Sequence, residues 1–363
     1  MIKFTFIFII VYWFVFRPKT HKAVNRYITI CATLFLITIG CRNEAIFGDT
    51  YGYVQNYNEL ANMSIKDIIN RWPKDPLFYI ASSFFFRLFG VHYTYWLLSF
   101  AFAIVIPVTK LIRNYSVEPM YSWLLFIFVG YLLFVMAGLR QVLAISLCMV
   151  GFLILMDNEK DLKRRKWWFV FYVFFAALFH GSAIFCLVGL FLVDRPINGL
   201  SILFYILTVA LAILSGSELL QDITFFLGRY DERYLAYGEN MRGSNTTYFI
   251  QQLLLVVPSL YFMRKRMQNS LVATMCHLSI IGLLCVSLSM AIAEMFRLSY
   301  YFAWANIILF PMAIKEMRKT SEILPMLFLT FFIVYLVFIN GIVWETYYFW
   351  FEDASNIIRT FDF

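Results

Sequence analysis

Long apolar runs recur from one end of this chain to the other, and they limit its fold more than any other feature. A backbone inside a bilayer must satisfy its own N–H and C=O groups, so each run that enters hydrocarbon folds as a helix. The runs lie at about 1–16, 27–41, 93–112, 120–137, 138–156, 167–193, 197–215, 247–263, 270–290, 291–313 and 322–341. Of the 363 residues 62% are hydrophobic and only 14% charged, which excludes a soluble globular domain. The fold expected is all-α, a polytopic transmembrane helical bundle of about 11–13 membrane segments, some short or broken. Stretch 77–89 is too short to span alone and carries Arg87, so it lies in the interface or re-enters. No linker or fixed-period repeat divides the chain. Residues 1–363 therefore read as a single integral membrane domain with outer loops 42–75 and 216–246.

Charge sets the orientation. The net +8 comes from basic clusters at run ends: Arg17–Arg26, Lys110–Arg113, Lys160–Lys166, Arg264–Arg266 and Lys315–Lys319. This is a topology signal rather than a nucleic-acid patch, and it places all five clusters in the cytoplasm. A single span over 167–193 would break that assignment. Treating Phe179-His180-Gly181-Ser182 as the outer tip of two short helices restores it. Six scattered cysteines without a CxxC pair and four scattered histidines argue against a metal centre or a disulfide framework, so no metal and no cofactor is expected.

Against this apolar background a few polar residues stand out, all expected at the outer boundary. Arg140 lies in Gly138-Leu139-Arg140-Gln141-Val142-Leu143-Ala144, with no acid near it in sequence. Ala137, Gln141, Ala144, Cys148 and Gly151 form a small-residue face beside it, so that helix is expected to be buried. An arginine here either bridges helix carbonyls or grips phosphate with its planar fork. Glu294 and Arg297 are spaced i, i+3, with Tyr301 a further turn on; they read as an ion pair that eases insertion or as a second phosphate contact with an orienting acid. His180 is a hydrogen-bonded core residue or a general base. Asp49, in Gly-Asp-Thr-Tyr-Gly-Tyr, is by default a helix cap. With Tyr53 and Tyr57 it could instead present an acid and aromatic faces to a sugar. Asp75-Pro76 reads as an ordinary helix start. The loop after Ser215, with Arg229 and Arg233 among tyrosines, suits a lid.

These pieces together resemble the EpsG-like branch of Wzy-type polysaccharide polymerases. The matching segments are Gly-Asp-Thr-Tyr-Gly-Tyr, Asp-Pro-Leu-Phe, Gly-Leu-Arg-Gln-Val-Leu-Ala, Leu-Phe-His-Gly-Ser-Ala, the Tyr-rich loop, and Glu-Met-Phe-Arg-Leu-Ser-Tyr-Tyr-Phe, in that order from 45 to 305. The resemblance implies a GT-C-like membrane glycosyltransferase that polymerises undecaprenyl-diphosphate-linked repeat units at the outer face of the bacterial cytoplasmic membrane. Lipid-linked glycan would be both donor and acceptor. A chain-length regulator and a flippase are further expected partners, and no nucleic acid is. Arg140 and Arg297 would bind the diphosphate, and His180, Asp49 or Glu294 would activate the acceptor. Tyr53, Gln141, Arg229, Arg233 and Tyr301 would contact sugar. With arginines supplying the positive charge, no metal is required. Two other classes compete: a transporter or flippase for the same lipid-linked glycans, which would be expected to show internal pseudo-repeats, and a membrane acyltransferase, which would gather its polar groups on the cytoplasmic side.

Overall fold

The computed structural model describes residues 1–46, 48–90, 92–159, 161–214, 246–289, 295–335, 347–349 and 351–352. Among them the structure is helical, apart from an isolated antiparallel bridge between Arg42 and Phe349. Four helices are long and apolar enough to cross a membrane: His21–Gly40, Tyr93–Tyr115, Thr246–Arg266 and Ser270–Leu288. A bent pair, Pro119–Phe128 and Tyr131–Ala137 at 49°, makes a fifth if counted as one span. Contacts divide the chain into two compact units: residues 1–185 with 322–363, and residues 186–321.

The first unit contains α1 (Ile2–Phe16), α2 (His21–Gly40), α3 (Gly48–Glu59), α4 (Ile65–Arg71), α5 (Pro76–Phe89), α6 (Tyr93–Tyr115), α7 (Pro119–Phe128), α8 (Tyr131–Ala137), α9 (Leu139–Leu155) and α10 (Leu162–Ala177). Their side-chain pairings fix the direction of each helix. Thr5 meets Thr38 at 3.0 Å and Tyr27 donates to the Ile9 carbonyl, so α1 and α2 are antiparallel. Arg113 donates to Thr29 while Gly40 lies against Leu98, so α2 and α6 are antiparallel. Arg165 donates to the Leu155 carbonyl and Phe152 packs on Phe169, so α9 and α10 are antiparallel. One end of the unit therefore holds the basic clusters of the α1–α2 turn, the end of α6 and the start of α10. The opposite end holds Arg42, Arg140 and His180.

One departure from the sequence reading, and one break that it expected, shape that polar end. Residues 42–75, expected as an outer loop, carry the helices α3 and α4. The apolar run 167–193 is broken after Ala177, and the chain resumes as a 3-10 helix over Gly181–Val188. α5 packs on the first half of α6, with Ser82 accepting from the Trp96 indole at 3.1 Å and Phe78 against Phe100. Seven residues separate Tyr93 from Phe100, so Phe78, near the Asp75 end of α5, sits about 10 Å along α6 from its start. The small-residue face of α9 is buried, and a Cβ at Gly151 would stand 3.2 Å from Phe169 and Tyr172.

The second unit contains α11 (Gly189–Leu192), α12 (Gly199–Leu214), α13 (Thr246–Met263), α14 (Ser270–Leu288), α15 (Phe296–Ser299) and α16 (Asn306–Met317). α14 packs against α12 and α13 and, through Gly282, against the backbone of Ala303. His277 on α14 bonds Tyr205 at 2.7 Å and the Arg195 carbonyl at 3.1 Å. α17 (Ile323–Val334) returns to the first unit, where Phe332 packs on Phe128.

Gly40 marks the closest approach of two spans. A Cβ there would lie 2.5 Å from Leu98 Cδ2 and 2.9 Å from Leu98 Cα, and the backbone atom cannot turn aside. Gly40→Ala is expected to cost about 1–3 kcal/mol, read as a lowered apparent Tm of the detergent-solubilised protein. An unchanged Tm would show that α2 and α6 do not pack this tightly.

Candidate functional site

The polar end of the first unit is built around a helix break. Were α8 and α9 one helix, the Met136 carbonyl would accept the Arg140 N–H four residues on. It accepts instead from Arg42 Nη2 at 2.8 Å and from the Thr50 hydroxyl. Arg42 also donates to the Ile39 carbonyl at the end of α2 and to Thr50 at 3.3 Å. Three segments, α2, α3 and α8, are thus riveted together by one guanidinium. The C-terminal stretch closes over it: Asn43 N–H donates to the Tyr348 carbonyl at 2.9 Å, Asn43 Nδ2 to the Glu352 carbonyl at 2.9 Å, and Tyr347 to the Thr38 carbonyl at 2.8 Å. Arg42 is fully buried, and burial pulls its pKa down to about 10, which leaves it charged at neutral pH.

The chain restarts at Leu139, so Arg140 stands in the first turn of α9, at the positive end of the helix dipole. Its Nε donates to the Tyr53 hydroxyl at 3.2 Å and its Nη1 to Asp75 Oδ2 at 3.3 Å. The guanidinium carbon lies 5.7 Å from the Tyr53 ring centre and 6.0 Å from that of Tyr79. Its side chain keeps 27% of its exposure, so it is held but accessible.

Asp75 is the group that ties this corner together. It precedes α5 in the left-handed conformation, φ 60°, and its carboxylate makes no bond to its own helix. Instead Oδ2 takes Arg140 and Oδ1 accepts the Gly181 N–H at 3.3 Å. One carboxylate therefore joins α5, α9 and the break at 178–180. His180, half-buried, bonds Ser182 Oγ through Nδ1 at 2.8 Å.

Arg140, Tyr53 and the His180–Ser182 segment are thus brought into one neighbourhood. Gln141 is buried beside Arg140 in α9. Asp49 is exposed in the first turn of α3, one helical turn before Tyr53. Tyr57 is fully buried, stacked on Trp96 and bonded to the Gly90 carbonyl, so it offers no face to a sugar. Arg297 and Tyr301 belong to the second unit. The run 291–313 is interrupted there, Arg297 is exposed and Tyr301 fully buried, so the two do not share one helix face. Glu294, Arg229 and Arg233, with the 216–245 part of the expected outer loop, lie outside the described residues.

Sequence reasoning passed over Asp75, Tyr79 and Arg42 in building the site. Tyr79 follows Asp75 by four residues on one helix face, which is a readable signal. Asp75 looked like a cap, and Arg42 like the first residue of a loop.

The EpsG family model matches residues 25–355. The chain belongs to the EpsG family. No curated protein and no solved structure matches it. EpsG is a Wzy-type polymerase-like family, which makes this a multi-pass membrane protein of polysaccharide biosynthesis with a polymerase-like role. Arg140, Tyr53, Asp75 and His180 all fall within the EpsG match.

The rivet at Met136 has a measurable consequence. Thr50→Val removes one of two donors to that carbonyl and is expected to cost about 1 kcal/mol; Arg42→Ala takes the other donor from it, strands the Ile39 carbonyl and leaves a void, and is expected to cost about 3 kcal/mol or more. Thermal unfolding of both variants checks the order, and equal effects would contradict it.

Proposed function

We propose that the chain polymerises oligosaccharide repeat units carried on undecaprenyl diphosphate at the outer face of a bacterial cytoplasmic membrane. The observation that carries this reading is Arg140: a partly exposed guanidinium near two tyrosine rings, in the first turn of a helix, joined through Asp75 to the segment that carries His180. A lipid-diphosphate donor leaves charge on phosphate oxygens as its glycosidic bond breaks, and a preorganised guanidinium stabilises what develops. Tyr53, which is only half-buried, borders the place where the first sugar would lie, while Tyr79 is buried and stacked on Trp72 behind Arg140. The acceptor is a sugar hydroxyl of a second lipid-linked glycan. His180 takes its proton, the hydroxyl oxygen bonds the donor sugar's anomeric carbon, and the lipid diphosphate departs. A chain-length regulator and a flippase supplying donor are the partners this chemistry calls for. With the basic ends of α1, α2, α6 and α10 in the cytoplasm, the positive-inside rule turns the Arg140 end outward.

Two experiments test the reading. Arg140→Lys keeps the charge but loses the fork, and is expected to lower polymerisation on the order of 10²-fold, with His180→Ala falling at least as far. The readout is the cell-surface glycan ladder, collapsing to single repeat units while the protein stays in the membrane. A normal ladder from Arg140→Lys would remove the phosphate role. For orientation, Ser182→Cys should react with an impermeant maleimide on intact cells, and Lys163→Cys only after permeabilisation. The reverse pattern would invert the topology.

A further inference from the structure

Asp75 has given up the usual work of its position. An aspartate before a helix normally lies in the extended region and accepts an N–H from the first turn. Asp75 lies at φ 60°, leaves that turn uncapped, and places one oxygen on Arg140 and the other on the Gly181 N–H. A carboxylate on a guanidinium occupies the same donors, with the same charge sign, as a phosphate would. We infer that Asp75 is a placeholder for the donor's diphosphate: it fills Arg140 in the resting site and is exchanged for phosphate when the lipid-linked donor arrives. This rests on the reading of Arg140 given under the proposed function.

The exchange keeps the charge balanced through the reaction. At rest Arg140 is paired with Asp75. When the donor binds, the diphosphate takes Arg140, and Asp75 stays tethered to the Gly181 N–H, one residue from His180. The acceptor oxygen then bonds the anomeric carbon, the bond from that carbon to the diphosphate oxygen breaks, and the hydroxyl proton passes to His180. The imidazolium so formed is the new positive charge next to the released carboxylate. Asp75 thus links arrival of donor to readiness of the base, so that an empty site has neither a vacant guanidinium nor a charged neighbour for His180. The pair is only partly buried, at 27% and 16% side-chain exposure, so solvent already screens it and exchange is not prohibitive.

Asp75→Asn separates placeholding from support. Asparagine tolerates the left-handed backbone and still accepts from Gly181, but does not compete for Arg140. Farnesyl diphosphate is the probe, titrated into the purified full chain in detergent micelles. Asp75→Asn is expected to bind it about three- to tenfold tighter and to turn over lipid-linked glycan on the order of 10²-fold more slowly, so KM and kcat fall together. A residue that only supports the fold would weaken binding when changed. Unchanged or weaker binding by Asp75→Asn, with an unaltered melting temperature, overturns the inference. If that variant does not fold, Asp75→Ser takes its place with the same expected sign. Arg140→Ala is measured alongside. Wild-type affinity in Arg140→Ala removes the phosphate site itself, whereas a loss there without a gain in Asp75→Asn removes the exchange alone.

Discussion

A carbonyl oxygen in an α-helix ordinarily has its partner chosen for it, the N–H four residues on. At Met136 the partner is replaced by the Arg42 guanidinium and the Thr50 hydroxyl, and much of the polar end follows from that replacement. With its carbonyl occupied, α8 stops, Gly138 takes the turn, and Leu139 begins a new helix. The side chain of Arg140 then projects from a first turn rather than from a helix middle. Non-helical backbone at membrane depth is tolerated only where protein or a wet cavity satisfies it. Here protein does so, from α2 and α3, and the C-terminal stretch seals the place.

Two arginines at one end of a helical bundle would be expected to resemble each other, yet Arg42 and Arg140 have opposite surroundings. Arg42 meets carbonyls and a hydroxyl and has no exposed surface. Such a charge is costly to desolvate, and removing its partners costs more, so it is fixed in place and does structural work. Arg140 meets a carboxylate, a phenol and two ring faces, and keeps contact with solvent. Its neighbours orient the fork without consuming all five of its N–H groups. Whether a membrane arginine is spent on carbonyls or keeps donors within reach of solvent is thus decided by what lies opposite it, and the described residues hold an arginine of each kind at the same end of the first unit.

That distinction also separates what could be read in the sequence from what could not. Apolar runs marked the helices because hydrocarbon leaves the backbone no alternative, and α6, α9, α13 and α14 begin and end close to the run limits. The break near His180 was legible because the basic clusters at 160–166 and 264–266 could not otherwise share a side. The small-residue face of α9 announced close packing for the same physical reason that Gly151 shows it. The helices α3 and α4 were hidden, since polar helices between spans have loop-like composition. So was the interruption of 291–313, an apolar run in which nothing local marks a turn. Arg140 stood out as a charge in an apolar setting; its partner, 65 residues away, did not, because Asp-Pro is a common helix start and only the φ of Asp75 shows that it is not acting as one.

The backbone of Asp75 adds weight to its placement in the site. A left-handed aspartate costs about 1 kcal/mol relative to an extended cap, and an uncapped helix start forfeits a similar amount. Neither cost is recovered in α5 itself. What the conformation achieves is a carboxylate aimed away from its own helix, toward α9 and the 178–180 break, where it meets a cation on one oxygen and a peptide N–H on the other. An extended aspartate at the same position would cap α5 and leave Arg140 without an anion. Local strain that is repaid only by a contact between distant segments is characteristic of residues kept for what they do rather than for the helix they begin. On that ground Asp75 belongs with Arg140 and His180, although it is the member whose sequence context says least.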